Sequence, residues 1–240
     1  MGRVILKITG PDRVEFLQGL VTNHVGEAPC YAALLTPQGK YLADFLIVPQ
    51  GDALLIDVSD TLADDLQRRL SMYKLRSKAD LAVSGLQVMR GTGPAPADAI
   101  VDPRDPALGW RLYGPDGGDD GSDWDAIRVE RCIPETGIEL VPNDTFILEA
   151  GFERLHGVDF RKGCFVGQEV TARMKHKTEL RKGLRRVSID GLTPVGTPIL
   201  RDGREVGTVF TQRGGRAIAQ VRFDRIGEGM TAGEAAIHAE

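Results

Sequence analysis

The chain has 240 residues, with 30 Lys+Arg against 34 Asp+Glu, a formal net charge of −4 and 42% hydrophobic residues. That length allows one or two domains and a core that needs no covalent staples, and the composition is that of an ordinary globular chain rather than a disordered one. No apolar run approaches the ~20 residues of a membrane helix, the opening Met1-Gly-Arg-Val-Ile-Leu-Lys7 is too short and interrupted for a signal peptide, and three scattered cysteines (Cys30, Cys132, Cys164) exclude a disulfide frame or zinc ribbon and point to a reducing cytoplasm.

In chain order, residues 4–8 read as a strand. Thr9-Gly10-Pro11-Asp12 opens a helix, with Pro and Asp suited to its first turn. Residues 31–35 and 41–48 read as strands joined by the turn Thr36-Pro37-Gln38-Gly39-Lys40. Residues 53–58 form a further strand, and Ser59 or Asp60 caps a helix with a Leu62, Leu66, Leu70 stripe. Residues 91–125 are rich in Pro, Gly and Asp and read as loops around short strands, where two subdomains would meet near 80–130. The cluster Gly114-Pro-Asp-Gly-Gly-Asp-Asp-Gly121 lacks calcium-loop spacing. Residues 127–131 read as strand, and Asn143 or Asp144 caps a helix reaching about His156. From Gly183 onward, short β-branched segments at 184–189, 205–211 and 216–223 alternate with glycines, the rhythm of a small antiparallel barrel. A boundary near residue 180 follows, giving an α+β region 1–180 and a barrel 181–240.

Three features carry chemistry. The first is the segment 157–173. Gly163 and Gly167 bracket Cys164, Phe165 and Val166, and so suggest a tight turn where backbone can approach a ligand. Gln168-Glu169-Val170 begins a helical pattern, so free N–H groups lie beside the cysteine. With Lys162 two residues before it, Cys164 has the setting that favours thiolate. The alternative is a small buried hydrophobe, as free cysteines commonly are.

The second is charge. Between Arg161 and Arg186 stand nine Lys+Arg and two Asp+Glu, a balance of +7, so the remaining 214 residues carry −11. Such a stripe suits an anionic ligand or partner. It is also compatible with a solvated face in which Glu169 pairs with Arg173. The third is Asp44. By strand alternation it shares a face with Leu42, Leu46 and Val48, where an unpaired carboxylate costs several kcal/mol. Either it finds a donor or serves function, or the strand is an edge and Asp44 meets water. Several motifs are absent: a dinucleotide GxGxxG, a phosphate loop, a GxSxG elbow, and any metal-ligand pair among His24, His156, His176 and His238. No metal site is expected.

Lys162-Gly-Cys-Phe-Val-Gly-Gln-Glu169 resembles the KGC[YF]xGQE signature of the YgfZ-type folate-binding proteins. These are relatives of the glycine-cleavage T-protein that act in iron–sulfur cluster assembly and maintenance. Gly10-Pro-Asp12, Phe16-Leu-Gln-Gly-Leu-Val-Thr-Asn23, residues 35–48, Tyr73-Lys-Leu-Arg-Ser-Lys78, Asp102-Pro-Arg104, Leu108-Gly-Trp-Arg111 and Gly137-Ile-Glu-Leu140 are similar to the same family, so the likeness covers nearly the whole chain. It implies a T-protein-like fold closing around a channel for tetrahydrofolate or a one-carbon derivative. It implies that Lys162, Gly163, Cys164, Gly167, Gln168 and Glu169 form the signature site, with Cys164 as a thiol near folate, Asp44 as a folate-facing acid and Arg173 among the ligand contacts. Glu149, in Leu148-Glu-Ala-Gly151, resembles a second folate-contacting acid of the T-protein. A carboxylate suits the donor edge of a pterin, and the basic stripe suits the glutamate tail. Phe165 departs from the commoner tyrosine, and His24 stands where an acid is frequent.

The implied function is an accessory factor for iron–sulfur client or assembly proteins, since three scattered cysteines cannot supply an ordinary cluster site. Two alternatives stand beside it: an aminomethyltransferase of the glycine-cleavage type, and a tRNA- or protein-docking module using residues 161–186.

Overall fold

The computed structural model describes residues 2–177 and 179–240. The chain opens with β1 (Arg3–Thr9), α1 (Arg13–Gln18), β2 (Cys30–Leu35), β3 (Tyr41–Gln50), β4 (Ala53–Ser59), α2 (Asp60–Tyr73) and β5 (Asp80–Val83). The strands form one antiparallel sheet in the order β2-β3-β4-β1-β5. β3 and β4 are buried on both faces, which explains why they are apolar at nearly every position apart from Asp44 and Asp57. One face packs on Ala63, Leu66 and Leu70 of α2, and the other on Leu140, Phe152 and Leu155.

A bulge corrects the expected phase of β3. Leu34 pairs with Ala43 but Leu35 pairs with Tyr41, so Leu42 is the extra residue. Leu42 packs with Ala43 and Phe45 in one core, whereas Tyr41, Leu46 and Val48 share the other. Asp44 therefore has Tyr41, not Leu42, beside it on its face. β3 lies between β2 and β4, so the edge alternative for Asp44 falls.

β6 (Gln87–Gly91), β7 (Ile100–Val101), β8 (Trp110–Gly114) and β9 (Gly118–Asp119) make a second sheet, ordered β7-β8-β6-β9. Next comes α3 (Trp124–Arg131), where a strand was expected at 127–131. Its capping explains the difference: the Asp123 side chain accepts from Ala126 N, Arg128 and Arg131 sit in the last turn, and Cys132 ends it with φ 51°. The expected helix at 143–156 is likewise absent. Asn143, Gly151 and His156 all have positive φ (66°, 79°, 56°), which breaks a right-handed helix three times. Residues 132–167 are instead a succession of turns.

α4 (Gln168–Lys177) follows. The chain then closes a barrel from β10 (Lys182–Asp190), β11 (Pro198–Arg201), β12 (Arg204–Arg213), β13 (Arg216–Arg222), β14 (Met230–Ala232) and β15 (Ala235–Ala239). Closure leaves no free edge, and Val187, Ile199, Val209, Ala219 and Ile237 fill the interior. Glu139, fully withdrawn from solvent, ties the barrel to the rest. It accepts from Thr211 Oγ1 (2.6 Å) and N (3.2 Å) of β12, from Arg128 of α3 (2.6 Å) and from Glu135 N (2.9 Å).

Candidate functional site

The loop 162–167 is held from beneath. Lys162 is buried and donates to the backbone oxygens of Gln18 and Val21, both at 2.6 Å. Burial pulls its pKa down to about 8. Its ammonium is thus engaged with the segment after α1 rather than offered to a ligand. Gly167 has φ +83°, and a Cβ there would lie 2.6 Å from Thr36 O, so it lets α4 seat on the β2–β3 turn. Gly163 shows no such constraint, since a Cβ there would meet open space. Phe165 is buried, which explains how it holds its place without a hydroxyl. Cys164 projects from this braced loop and is exposed. The other thiols differ: Cys30 is pushed up to about 12 by burial, and Cys132 is also raised by burial. Gln168 and Glu169 open α4, as the sequence suggested.

Asp44 is satisfied rather than open. Tyr41 Oη and Thr136 Oγ1 donate to one carboxylate oxygen (2.7 and 2.6 Å), and Tyr31 Oη donates to the other (3.0 Å). Burial and the adjacent carboxylate raise both tyrosine pKa values, keeping them donors. Glu149 is freer. It lines a 310 Å³ cavity with Gly151, Leu180 and Phe223, and its nearest cation is Lys182 at 3.6 Å. Burial raises its pKa. Glu149 borders the 310 Å³ space, Asp44 is enclosed by hydroxyls, and Cys164 is exposed.

The basic stripe is answered in part, by Glu169 within the segment and by acids elsewhere in the fold. Arg173 meets Glu169 at 2.8 Å, Lys175 meets Glu153 at 2.5 Å, and Arg186 meets Glu130 at 2.7 Å and also Glu240. Acids outside the segment therefore offset only part of its +7.

Sequence reasoning missed a buried ion chain. Asp57 accepts from Arg3 (2.6 Å), Arg111 (2.8 Å) and Tyr113 (2.9 Å), and Asp102 accepts from Arg104 (2.8 Å) and Arg111 (2.9 Å). Burial alone would raise both carboxyls, but the guanidiniums outweigh it and hold them below the usual range. The signal was present, because Asp57 interrupts an apolar strand as Asp44 does. This chain forms one wall of a cavity of about 980 Å³, also lined by Arg90, Trp124 and Arg213.

Comparison with known proteins defines the class. The fold is that of the glycine-cleavage T-protein: the solved aminomethyltransferase T of Bartonella henselae superposes with a TM-score of 0.77 over 99% of this chain and 82% of that one, at 15% identity. Residues 181–240 match the family model described as CAF17, C-terminal beta-barrel domain. Within that class the chain is similar to a particular group. It is 29% identical to the human mitochondrial iron-sulfur cluster assembly factor IBA57, across 94% of this chain and 77% of that protein, and the mouse protein gives the same figures. A homologue in Pyricularia oryzae is 31% identical over 75% of this chain and 54% of its own length. The expected likeness to iron–sulfur assembly factors related to the T-protein therefore stands. The expected cytoplasmic setting has no counterpart in these relatives, whose names place them in mitochondria. No helix among the described residues is long and apolar enough to cross a membrane.

Proposed function

We propose that this protein is a folate-binding accessory factor for the assembly or maintenance of iron–sulfur proteins, working through Cys164. The observation that carries the reading is the position of that thiol. It is the exposed cysteine of the three, on a loop anchored by Lys162 and Gly167 at the start of α4. Similarity to iron–sulfur assembly factors over 94% of the chain supports the role. Such a thiol can meet the surface of a client or assembly partner, with the cluster as cargo.

The donor sets bear differently on folate. Asp44 has three hydroxyl donors in place and little acceptor capacity left for a pterin. Glu149 retains that capacity at the wall of its cavity, so it is the acid that would receive the pterin's donor edge. Asp44 then positions Tyr31 and Tyr41. Two measurements test the reading. Calorimetric titration with tetrahydrofolate is expected to show binding that Glu149→Gln weakens, and no binding removes the folate half. In a strain lacking the protein, Cys164→Ala is expected to fail to support a cluster-dependent enzyme, and full support ends the thiol role. Turnover with the lipoyl partner in a glycine-cleavage assay would favour the aminomethyltransferase alternative instead.

A further inference from the structure

The 980 Å³ cavity contains six arginines, and five are neutralised at short range. Arg3 and Arg111 meet Asp57, Arg104 meets Asp102, Arg128 meets Glu139 and Arg213 meets Asp123, at 2.6 to 2.8 Å. Arg90 differs. Among the described residues its nearest carboxylate is Asp119, at 3.6 Å, beyond a direct hydrogen bond. Its guanidinium lies 4.1 Å from the Trp124 ring centroid. Among the described residues the Trp124 indole N–H is itself buried without a partner, whereas the indole of Trp110 donates to Gly93 O at 3.0 Å. Buried donors are nearly always paired, so an orphan beside a weakly paired guanidinium marks a missing acceptor. Burial and the nearby Arg111 both pull the Arg90 pKa down, so its charge sits at a cost that an anion relieves.

We propose that this cavity binds a small polyanion through carboxylate or phosphate oxygens, with Arg90 as the primary donor. Trp124, whose ring Arg90 stacks against, lines the same cavity, and the hydroxyls of Thr61 and Ser122 border it. The site contains none of Cys164, Asp44 and Glu149, and meets the Asp44 network only where Arg104 lies 5.7 Å from the centroid of the Tyr31 ring.

Calorimetric titration of the full chain tests it, using pyrophosphate, tri-γ-glutamate and uncharged triglutamine. Saturable binding of either anion, without binding of triglutamine, is expected. Arg90→Gln is expected to weaken it about 10-fold or more, the scale of one charge-assisted hydrogen bond. Arg90→Lys, which keeps charge but loses the planar fork, falls between. Arg161→Gln, in the exposed stripe, leaves it unchanged. Binding of pyrophosphate alone identifies a phosphate ligand, and binding of triglutamate alone a carboxylate chain. Failure of both anions to bind overturns the proposal. So does an affinity unaltered in Arg90→Gln of native melting temperature or, if that variant melts early, in Arg90→Lys.

Discussion

Three cysteines with one chemical formula occupy three settings. Burial holds Cys30 and Cys132 as thiols, while Cys164 stands in solvent. Alkylation of the native protein should therefore label one thiol rapidly and two slowly. Peptide mapping should place the fast label on Cys164, and Cys164→Ser should abolish the fast phase. Lys162 makes the opposite point, since a residue adjacent to the reactive loop serves the fold. Lys162→Met leaves the carbonyls of Gln18 and Val21 without their donor and should cost about 2–4 kcal/mol in urea unfolding.

At the scale of elements, Glu139 fastens β12 to α3, and its removal strands the Arg128 guanidinium in the interior. Glu139→Ala should destabilise by about 3–5 kcal/mol, read from the denaturant midpoint. Sequence patterning located β1 to β4, α2, α4 and three barrel strands because each has a clear apolar period or turn signal. It failed where a local device decides: the Asp123 cap turned 127–131 into helix, and three positive φ angles dissolved the helix expected at 143–156. The site was legible in the same uneven way. The sequence marked the loop 162–169 and the carboxylate Asp44. It could not show that Lys162 turns inward, that a bulge brings Tyr41 beside Asp44, or that Glu153 and Glu130 meet cations of the stripe, since each depends on contacts between segments apart in sequence.

At the scale of the whole molecule, Asp57 and Asp102 link the first and second sheets through Arg3, Arg104 and Arg111. Their folded pKa values lie below those of the unfolded chain. Their contribution is therefore fully present above the ordinary Asp value of about 3.9 and fades as pH falls through the lower folded values. Stability measured by denaturant should hold from neutrality to about pH 5 and then fall, and Asp57→Asn should flatten that acid limb.

The run of turns at 132–167 gives the molecule its cooperativity. This stretch donates from Asn143 N to Tyr41 O, offers Gly157 O to the Thr22 hydroxyl, reaches β12 through Glu139 and accepts from Leu184 N at Glu149 O. With no regular structure of its own, it has no independent reason to persist once any neighbour opens, and no neighbour can open without losing its bonds to it. The first sheet and the barrel should accordingly melt in one calorimetric transition, with matched van't Hoff and calorimetric enthalpies. Amides of 132–167 should exchange with solvent at the global unfolding rate, like those of a core strand rather than a loop.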